Sequence, residues 1–244
     1  MEKRRALVTG GGTGIGLATA RALIAAGHHV TISGRNEDAL KHTGLPYIIM
    51  DVTCEASVTA GFAAVGDIDI LVSNAGAANT APLLKTSLSQ WQDMLNVNLT
   101  GAFLCARAGL PSMVKRRWGR FIVVASTSSL KGYPYTGAYT AAKHGALGLV
   151  RTLALEMAKT GVTANAVCPG FTNTELLTRS IATIVKTTGM DKDQALKALL
   201  KDNPMARAIE PEEVAQAIVW LASEHAGATN GQPIVLDGGE LAGG

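Results

Sequence analysis

The chain of 244 residues is 47% hydrophobic and 17% charged, with a net charge of +3. It is long enough to bury a sizeable core, and this composition excludes disorder. The nearest thing to a basic tract is Lys115-Arg116-Arg117 with Arg120 close by, too little for a nucleic-acid surface. Cys54, Cys105 and Cys168 are odd in number and widely spaced, which argues against a disulfide framework and a metal cluster. All three sit in apolar sequence, so they are expected to be buried small hydrophobes in a reducing cytoplasm.

Glu2-Lys3-Arg4-Arg5 before an apolar stretch has the outline of a signal peptide. However, five glycines fall between Gly10 and Gly16, and Arg21 follows. No apolar run reaches the 18 residues a membrane span needs. Short apolar runs then alternate with longer helical patterns. Residues 6–9, 30–33, 47–50, 68–73, 121–125, 163–167 and 233–236 read as strands. They are nearly continuous in apolar residues, as in strands covered on both faces of a parallel sheet. Helical patterns occupy 14–26, 89–116, 137–160 and 211–223, with short helices near Asp38 and over 55–63. This order predicts an α/β fold: a single Rossmann-like domain over 1–244, a doubly wound parallel sheet of about seven strands flanked by helices. The segment 172–203 is rich in Thr and Lys and breaks the alternation. It reads as one or two helices inserted at the mouth of a site, a substrate lid.

Thr9-Gly10-Gly11-Gly12-Thr13-Gly14-Ile15-Gly16 follows the first strand and opens the first helix. Glycines let the backbone turn tightly and approach a pyrophosphate, which the helix N-terminus then attracts. A glycine cluster alone fits an ordinary turn equally well; its place between strand and helix favours the dinucleotide. The second strand ends Ile32-Ser33-Gly34-Arg35. A site for NAD(H) usually carries a carboxylate at this strand tip, where Gly34 stands here. Arg35 can pair with a 2′-phosphate, so the residues favour NADP(H) over NAD(H). A next strand ends Asp51-Val52-Thr53. Asp51 either caps the following helix or accepts a hydrogen bond from the adenine amino group.

Tyr139-Thr140-Ala141-Ala142-Lys143 begins a long helical pattern, and a spacing of four places Tyr139 and Lys143 on one face. A phenol is a poor acid–base group near neutrality. A lysine ammonium beside it favours phenolate and is expected to lower its pKa, so that it can exchange a proton with an alcohol or carbonyl oxygen. By itself the pair is a common helical spacing.

The wider pattern resembles the classical short-chain dehydrogenase/reductase family from end to end. The resemblance rests on the Thr9–Gly16 entrance, Ser73-Asn74-Ala75-Gly76, Asn96-Val97-Asn98, Ser126 thirteen residues before Tyr139, and Pro169-Gly170. Asn203-Pro204-Met205-Ala206-Arg207, Pro211-Glu212-Glu213-Val214-Ala215 and Asp237-Gly238-Gly239 extend it. The resemblance implies that Tyr139 is the general acid in reduction and the general base in oxidation. Lys143 would lower its pKa and hold the nicotinamide ribose. Ser126 would hydrogen-bond the substrate oxygen, and Asn98 would position a water linking Lys143 to solvent. Gly10, Gly12, Thr13, Gly14, Ile15, Gly16, Ser33, Arg35, Asp51, Val52, Asn74, Ala75, Gly76, Pro169, Gly170, Thr172 and Thr174 would line the cofactor.

Ser73 replaces the first asparagine of the family's usual Asn-Asn-Ala-Gly, and Thr13 stands where many NADP enzymes of the family have a basic residue. Ser128 and Ser129 compete with Ser126, and Tyr133 and Tyr135 with Tyr139, but neither tyrosine has a lysine four residues on. They are expected to line the substrate pocket. His144 points about 100° away from Lys143 on a helix and reads as structural. Trp91, Trp118 and Trp220 read as core or interface.

The comparison within the family falls nearest to 3-oxoacyl thioester reductases and to 3-hydroxyacyl and 3-hydroxybutyrate dehydrogenases. Carrier-protein reductases use a basic pair: Arg117 matches one position, while Thr160 stands at the other with Lys159 adjacent. A coenzyme A thioester or small ketone is therefore favoured over a carrier protein. NAD-dependent oxidation of a secondary alcohol or 3-hydroxyacid is the alternative. A non-catalytic dinucleotide sensor is a remote third, disfavoured by the intact Ser126, Tyr139 and Lys143. The resemblance also implies a cytoplasmic homotetramer joined through the two long helices, where Ala141, Gly145, Ala146 and Gly148 would permit close helix contact.

Overall fold

The computed structural model describes residues 2–242. Its strands are β1 (Arg5–Thr9), β2 (His29–Gly34), β3 (Tyr47–Ile49), β4 (Ile70–Ser73), β5 (Gly119–Val124), β6 (Val162–Pro169) and β7 (Pro233–Leu236). All pair in parallel, in the order β3-β2-β1-β4-β5-β6-β7. The order reverses between β1 and β4, and in such sheets a ligand crevice opens beyond the strands' C-terminal ends at that point.

The sheet divides the apolar residues between two cores, because successive strand residues face opposite sides. Leu7, Leu71 and Phe121 enter one core, with Met113 and Val150 from the helices. Their neighbours Val8, Ile70 and Ile122 enter the other, with Leu23 and Ile218. Every residue of β5 and β6 is buried. That is why these strands read as nearly continuous apolar runs, interrupted by the buried Arg120, Thr163 and Asn165.

Three helices flank the first core: α3 (Glu55–Val65), α5 (Gly101–Arg116) and α6 (Gly137–Met157). On the other side pack α1 (Gly14–Ala25) and α9 (Pro211–Ala222), against each other and the sheet. A short α2 (Glu37–Lys41) follows β2.

Several expectations change. The single helix expected over 89–116 is broken: α4 (Leu88–Leu95) passes through a π-helical turn, Asn96–Thr100, into α5. Cys105 and Cys168 are buried, but Cys54 is exposed at the N-cap of α3, between the polar Thr53 and Glu55. The small residues of α6 do not all face outward. Ala146 lies in the core, and a Cβ on Gly145 would come within 2.8 Å of Leu99 Cδ2, whereas Gly148 is open. The segment 172–203 forms two helices, α7 (Glu175–Thr188) and α8 (Lys192–Leu199). No helix among the described residues is long and apolar enough to cross a membrane.

Phe121 is fully buried at the centre of β5 and of the first core. Phe121→Ala should destabilise the fold by about 3–5 kcal/mol, read as a lowered urea midpoint at unchanged slope. A loss below about 1 kcal/mol would show that this core does not depend on the ring.

Candidate active site

The C-terminal ends of β1 and β4 are laced together. The Thr9 hydroxyl accepts from the backbone N–H groups of Asn74 and Ala75, each at 3.0 Å. The Asn74 amide donates to the carbonyls of Thr9 (2.9 Å) and Gly10 (3.1 Å). Asn74 thus holds the glycine turn from the side. Gly10 sits at φ +64°, and a Cβ there would fall 2.9 Å from Ala75 Cα; one on Gly16 would fall 2.3 Å from the Gly10 carbonyl oxygen. The turn therefore presents bare backbone. Thr13, the N-cap of α1, makes no side-chain cap, and the first turn holds no acidic residue. Its N–H groups are left for an anion, so this cradle fits a dinucleotide pyrophosphate.

Gly12, Gly14 and Ile15 are partly exposed on the turn. Thr174 Cγ2 lies 3.1 Å from where a Gly14 Cβ would be, which brings the segment after β6 across to the cradle. Ser33 supports the turn from below: its carbonyl accepts from Gly11 N–H at 3.1 Å, and its side chain is fully buried without a partner. Arg35 is exposed at the tip of β2, and its charge acts on Asp51. Asp51 does not cap α3; its carboxylate accepts from the N–H (2.9 Å) and hydroxyl (2.7 Å) of Thr53. Partial burial pushes this carboxyl up, but those bonds and Arg35 outweigh it and hold Asp51 below its ordinary value. Val52 next to it is buried against Gly101.

Ser126, Tyr139 and Lys143 come together beyond the end of β5. The Lys143 ammonium lies 5.6 Å from the Tyr139 ring centre and donates to the Val124 carbonyl at 2.8 Å. Lys143 is only 5% exposed, and burial lowers its pKa to about 8. Tyr139 departs from the expectation: its pKa is raised, because burial of the phenol outweighs the favourable influence of the nearby Ser126 hydroxyl. Ser126 is fixed by an N–H of Ser128, which donates to its hydroxyl at 3.1 Å. Cys168 at the end of β6 is buried against this group. Burial raises its thiol to about 11, opposed by the Ser126 backbone N–H and the Lys143 charge.

Asn98 stands in the π-turn, buried, and its amide spans two segments. It donates to the carbonyls of Ala77 (2.9 Å) and Met94 (3.0 Å) and accepts from Ala77 N–H (3.3 Å). A Cβ on Gly76 would fall 2.8 Å from Asn98 Oδ1 and 3.8 Å from Lys143 Nζ, so only a glycine wall separates the two groups. Pro169 ends β6, and Gly170 N–H bonds the Leu236 carbonyl. The Thr172 hydroxyl donates to Gly170 O (3.1 Å), and that of Thr174, the N-cap of α7, to Thr172 O (3.2 Å).

The competing residues sort themselves. Ser128 and Ser129 are buried in the turn behind Ser126. Tyr135 is 64% exposed, and the Tyr133 hydroxyl is taken by Thr127 and Glu240. His144 is exposed, its Nδ1 3.0 Å from Thr140 O. Trp118 stacks on Arg4 and Arg120, and Trp220 is 43% exposed. Arg117, which donates to Lys159 O at 3.4 Å, lies beside the N-terminal ends of β5 and β6, away from Tyr139. The sequence reading assigned no role to Thr9 beyond its motif, or to Val124, Cys168 and Glu240. Of these, only Thr9 and Glu240 had a visible signal, as neighbours of glycine motifs.

The family model described as "Enoyl-(Acyl carrier protein) reductase" matches residues 10–240. The chain is 35% identical to the D-beta-hydroxybutyrate dehydrogenase of Rhizobium meliloti over 252 residues, covering 97% of this chain and 98% of that protein. It is 38% identical to the acetoacetyl-CoA reductase of Shinella zoogloeoides over 247 residues, covering 98% of each. Among solved structures, an actinorhodin polyketide ketoreductase with NADPH superposes at a TM-score of 0.90, with 32% identity, covering 98% of this chain and 97% of that one. The chain is therefore an oxidoreductase of the short-chain dehydrogenase/reductase family, acting between CH–OH and carbonyl groups with a nicotinamide cofactor.

Proposed function

We propose that this enzyme interconverts 3-oxoacyl and 3-hydroxyacyl groups, carried as a coenzyme A thioester or a related small ketone, with NADP(H) as the redox partner. The observation that carries the chemistry is the Ser126–Tyr139–Lys143 cluster, with Lys143 against Gly76 in the segment that Asn74 ties to the glycine turn. The acyl class is supported by the names of the relatives, an acetoacetyl-CoA reductase and a D-beta-hydroxybutyrate dehydrogenase. The latter also favours a second reading, oxidation of a free 3-hydroxyacid at the same site. A tetramer belongs to this reading too: Phe103 on α5 and Leu155 on α6 are exposed apolar residues.

When bound, the nicotinamide gives or takes the hydride. The glycine turn and α1 would hold the dinucleotide's pyrophosphate, Arg35 the 2′-phosphate of its adenosine ribose, and the 169–174 segment its nicotinamide end. In reduction, Tyr139 donates its proton to the substrate oxygen while Ser126 hydrogen-bonds the same atom. The raised pKa of Tyr139 keeps that proton in place at rest. Lys143 offsets the phenolate charge left behind, and Asn98 would position a water that links Lys143 to solvent to resupply the proton. The α7–α8 segment covers the substrate.

A panel of acetoacetyl-CoA, acetoacetate and simple ketones with NADPH and NADH should show turnover on acetoacetyl-CoA. Its absence would remove the thioester reading. In the same assay Tyr139→Phe should lose about 10²–10⁴-fold in kcat while binding the cofactor normally. Retained turnover would displace Tyr139 from the chemistry.

Arg35→Ala should weaken NADPH binding by roughly 10- to 100-fold, the worth of a charge-assisted bond, and leave NADH unchanged. An equal effect on both cofactors would overturn the phosphate assignment.

Lys143 carries its charge below about 8 and loses it as pH rises through that value. The neutral amine cannot offset phenolate, so kcat/KM for reduction should fall across that range. Lys143→Arg keeps the cation and should move the fall to higher pH. An unmoved limb would assign it to another group.

A further inference from the structure

A partly buried polar cluster joins the loop after Ser126 to the far end of the chain. Tyr133's phenol oxygen lies 2.6 Å from Glu240 Oε1 and 2.7 Å from the Thr127 hydroxyl. A phenol has one proton. It goes to the carboxylate, the stronger acceptor, so the Thr127 hydroxyl donates to the phenol oxygen. The Lys131 ammonium bonds the same carboxylate oxygen at 2.7 Å, and the Glu240 side chain is 5% exposed. Lys131 also lies over the Tyr133 ring at 4.7 Å. Thr127 is the residue next to Ser126, and it opens the short helical turn that Ser126 itself caps.

Glu240 is held in turn. The Asp237 carboxylate accepts from the N–H groups of Gly239 (2.9 Å) and Leu241 (2.8 Å), which fixes the reversal carrying Glu240. The same reversal touches two more parts of the site. A Cβ on Gly170 would fall 3.3 Å from Asp237 Cα. At φ +68°, Gly238 leaves room for Asn203, whose Oδ1 would lie 2.2 Å from a Gly238 Cβ. Asn203 is buried and bonds Met205 N–H (2.8 Å) and Arg207 O (2.9 Å). It thereby shapes the strand-like exit from α8, which pairs with Thr172 through Ile209. One turn, residues 237–241, therefore braces the Ser126 loop, the end of β6 and the base of the α7–α8 segment.

We propose that Glu240 is a positioning residue: through Tyr133 and Thr127 it sets the loop that carries Ser126, and through its turn it ties that loop to the base of the substrate-covering segment. The inference rests on the proposed roles of Ser126 and of α7–α8. A substrate closing that segment would then register Ser126 at the same time, and loss of the carboxylate would uncouple the two.

The test compares wild type with Glu240→Gln, Glu240→Asp, Tyr133→Phe and the Y133F/E240Q double variant. The measurements are kcat and KM on acetoacetyl-CoA with NADPH, NADPH affinity by fluorescence titration, thermal midpoint, and amide exchange of 126–133 and 203–209. Glu240→Gln should lose about tenfold or more in kcat/KM with NADPH affinity within about twofold of wild type. Glu240→Asp should recover part of the loss. The double variant should be no worse than the poorer single one, because both break one chain of bonds. Exchange should quicken in both segments together. Unchanged kcat/KM in Glu240→Gln, losses that multiply in the double variant, or quicker exchange confined to the terminal turn would each overturn the proposal. If Glu240→Gln does not fold, Tyr133→Phe, which keeps the ring and the Lys131–Glu240 pair, is judged by the same outcomes. If wild type itself does not turn over acetoacetyl-CoA, the substrate reading fails separately, and exchange alone decides: quickening in both segments upholds the coupling, and no change at 126–133 overturns it.

Discussion

A buried ammonium needs acceptors or it loses its proton, and the site is organised around that constraint at Lys143. Its ammonium has the Val124 carbonyl at 2.8 Å, and burial pulls its pKa down to about 8. No carboxylate pairs with it among the described residues. Such a cation gains from any negative charge that develops beside it. Tyr139, one helical turn back, is the group able to develop one. Burial works the opposite way on the phenol, holding it protonated. The resting pair is thus a neutral phenol beside a strained cation. In the proposed reaction, charge on the phenol becomes favourable when its proton moves onward to a substrate oxygen beside Ser126. A carboxylate next to Lys143 would relax the ammonium and remove its leverage on Tyr139.

Holding that arrangement requires three strand ends and one broken helix. β5 supplies the Val124 carbonyl and Ser126, β6 presses Cys168 against them, and β4 leads into the Gly76 wall. The wall stays thin because Asn98 turns inward. Its amide reaches Ala77 as well as Met94, and the helix accommodates this with a π-turn. A π-turn gives up regular hydrogen bonding and is found mostly at functional sites. Here it is stabilised by the three bonds of the Asn98 amide, two of which bind the turn of helix to Ala77, in the backbone after Asn74, and one of which goes to Met94 within the helix.

Local signals carried most of what was legible in the amino-acid sequence. Strands covered on both faces show as apolar runs wherever they occur, so β5 and β6 stood out. The glycine turn is legible as a turn because part of its steric demand is local, Gly16 against the Gly10 carbonyl, although Gly10 itself is pressed by Ala75 from β4's end. What was not legible depends on contacts made far along the chain. The break at Asn98 follows from bonds to Ala77, 21 residues earlier. The raised pKa of Tyr139 comes from burial, which spacing to Lys143 does not report. Cys54 is exposed because it falls at a helix start between Thr53 and Glu55, and Gly145 and Ala146 face Leu99 and the core of the same chain, contacts that local sequence does not report. The Tyr133–Glu240 bond joins residues 107 apart, beyond any local pattern.

The same logic separates rigid from yielding parts of the molecule. Where geometry must be fixed, polar groups bond across elements: Thr9 to β4, Asn98 to Ala77, Glu240 to Tyr133. In α7 the hydroxyls bond within the helix. Thr178, Ser180, Thr183, Thr187 and Thr188 each donate to the carbonyl four residues back. Such back-bonds slightly weaken and bend a helix, and they tie it to nothing else. α7 buries Leu177, whereas α9, two residues shorter, buries Val214, Ala215, Ile218, Leu221 and Ala222. A helix whose polar groups are satisfied internally and whose packing is slight can leave the body without stranding buried donors or acceptors there. Such a helix suits the opening that the proposed substrate-covering role of α7–α8 would need. On that reading the 237–241 turn at its base would return it to one place.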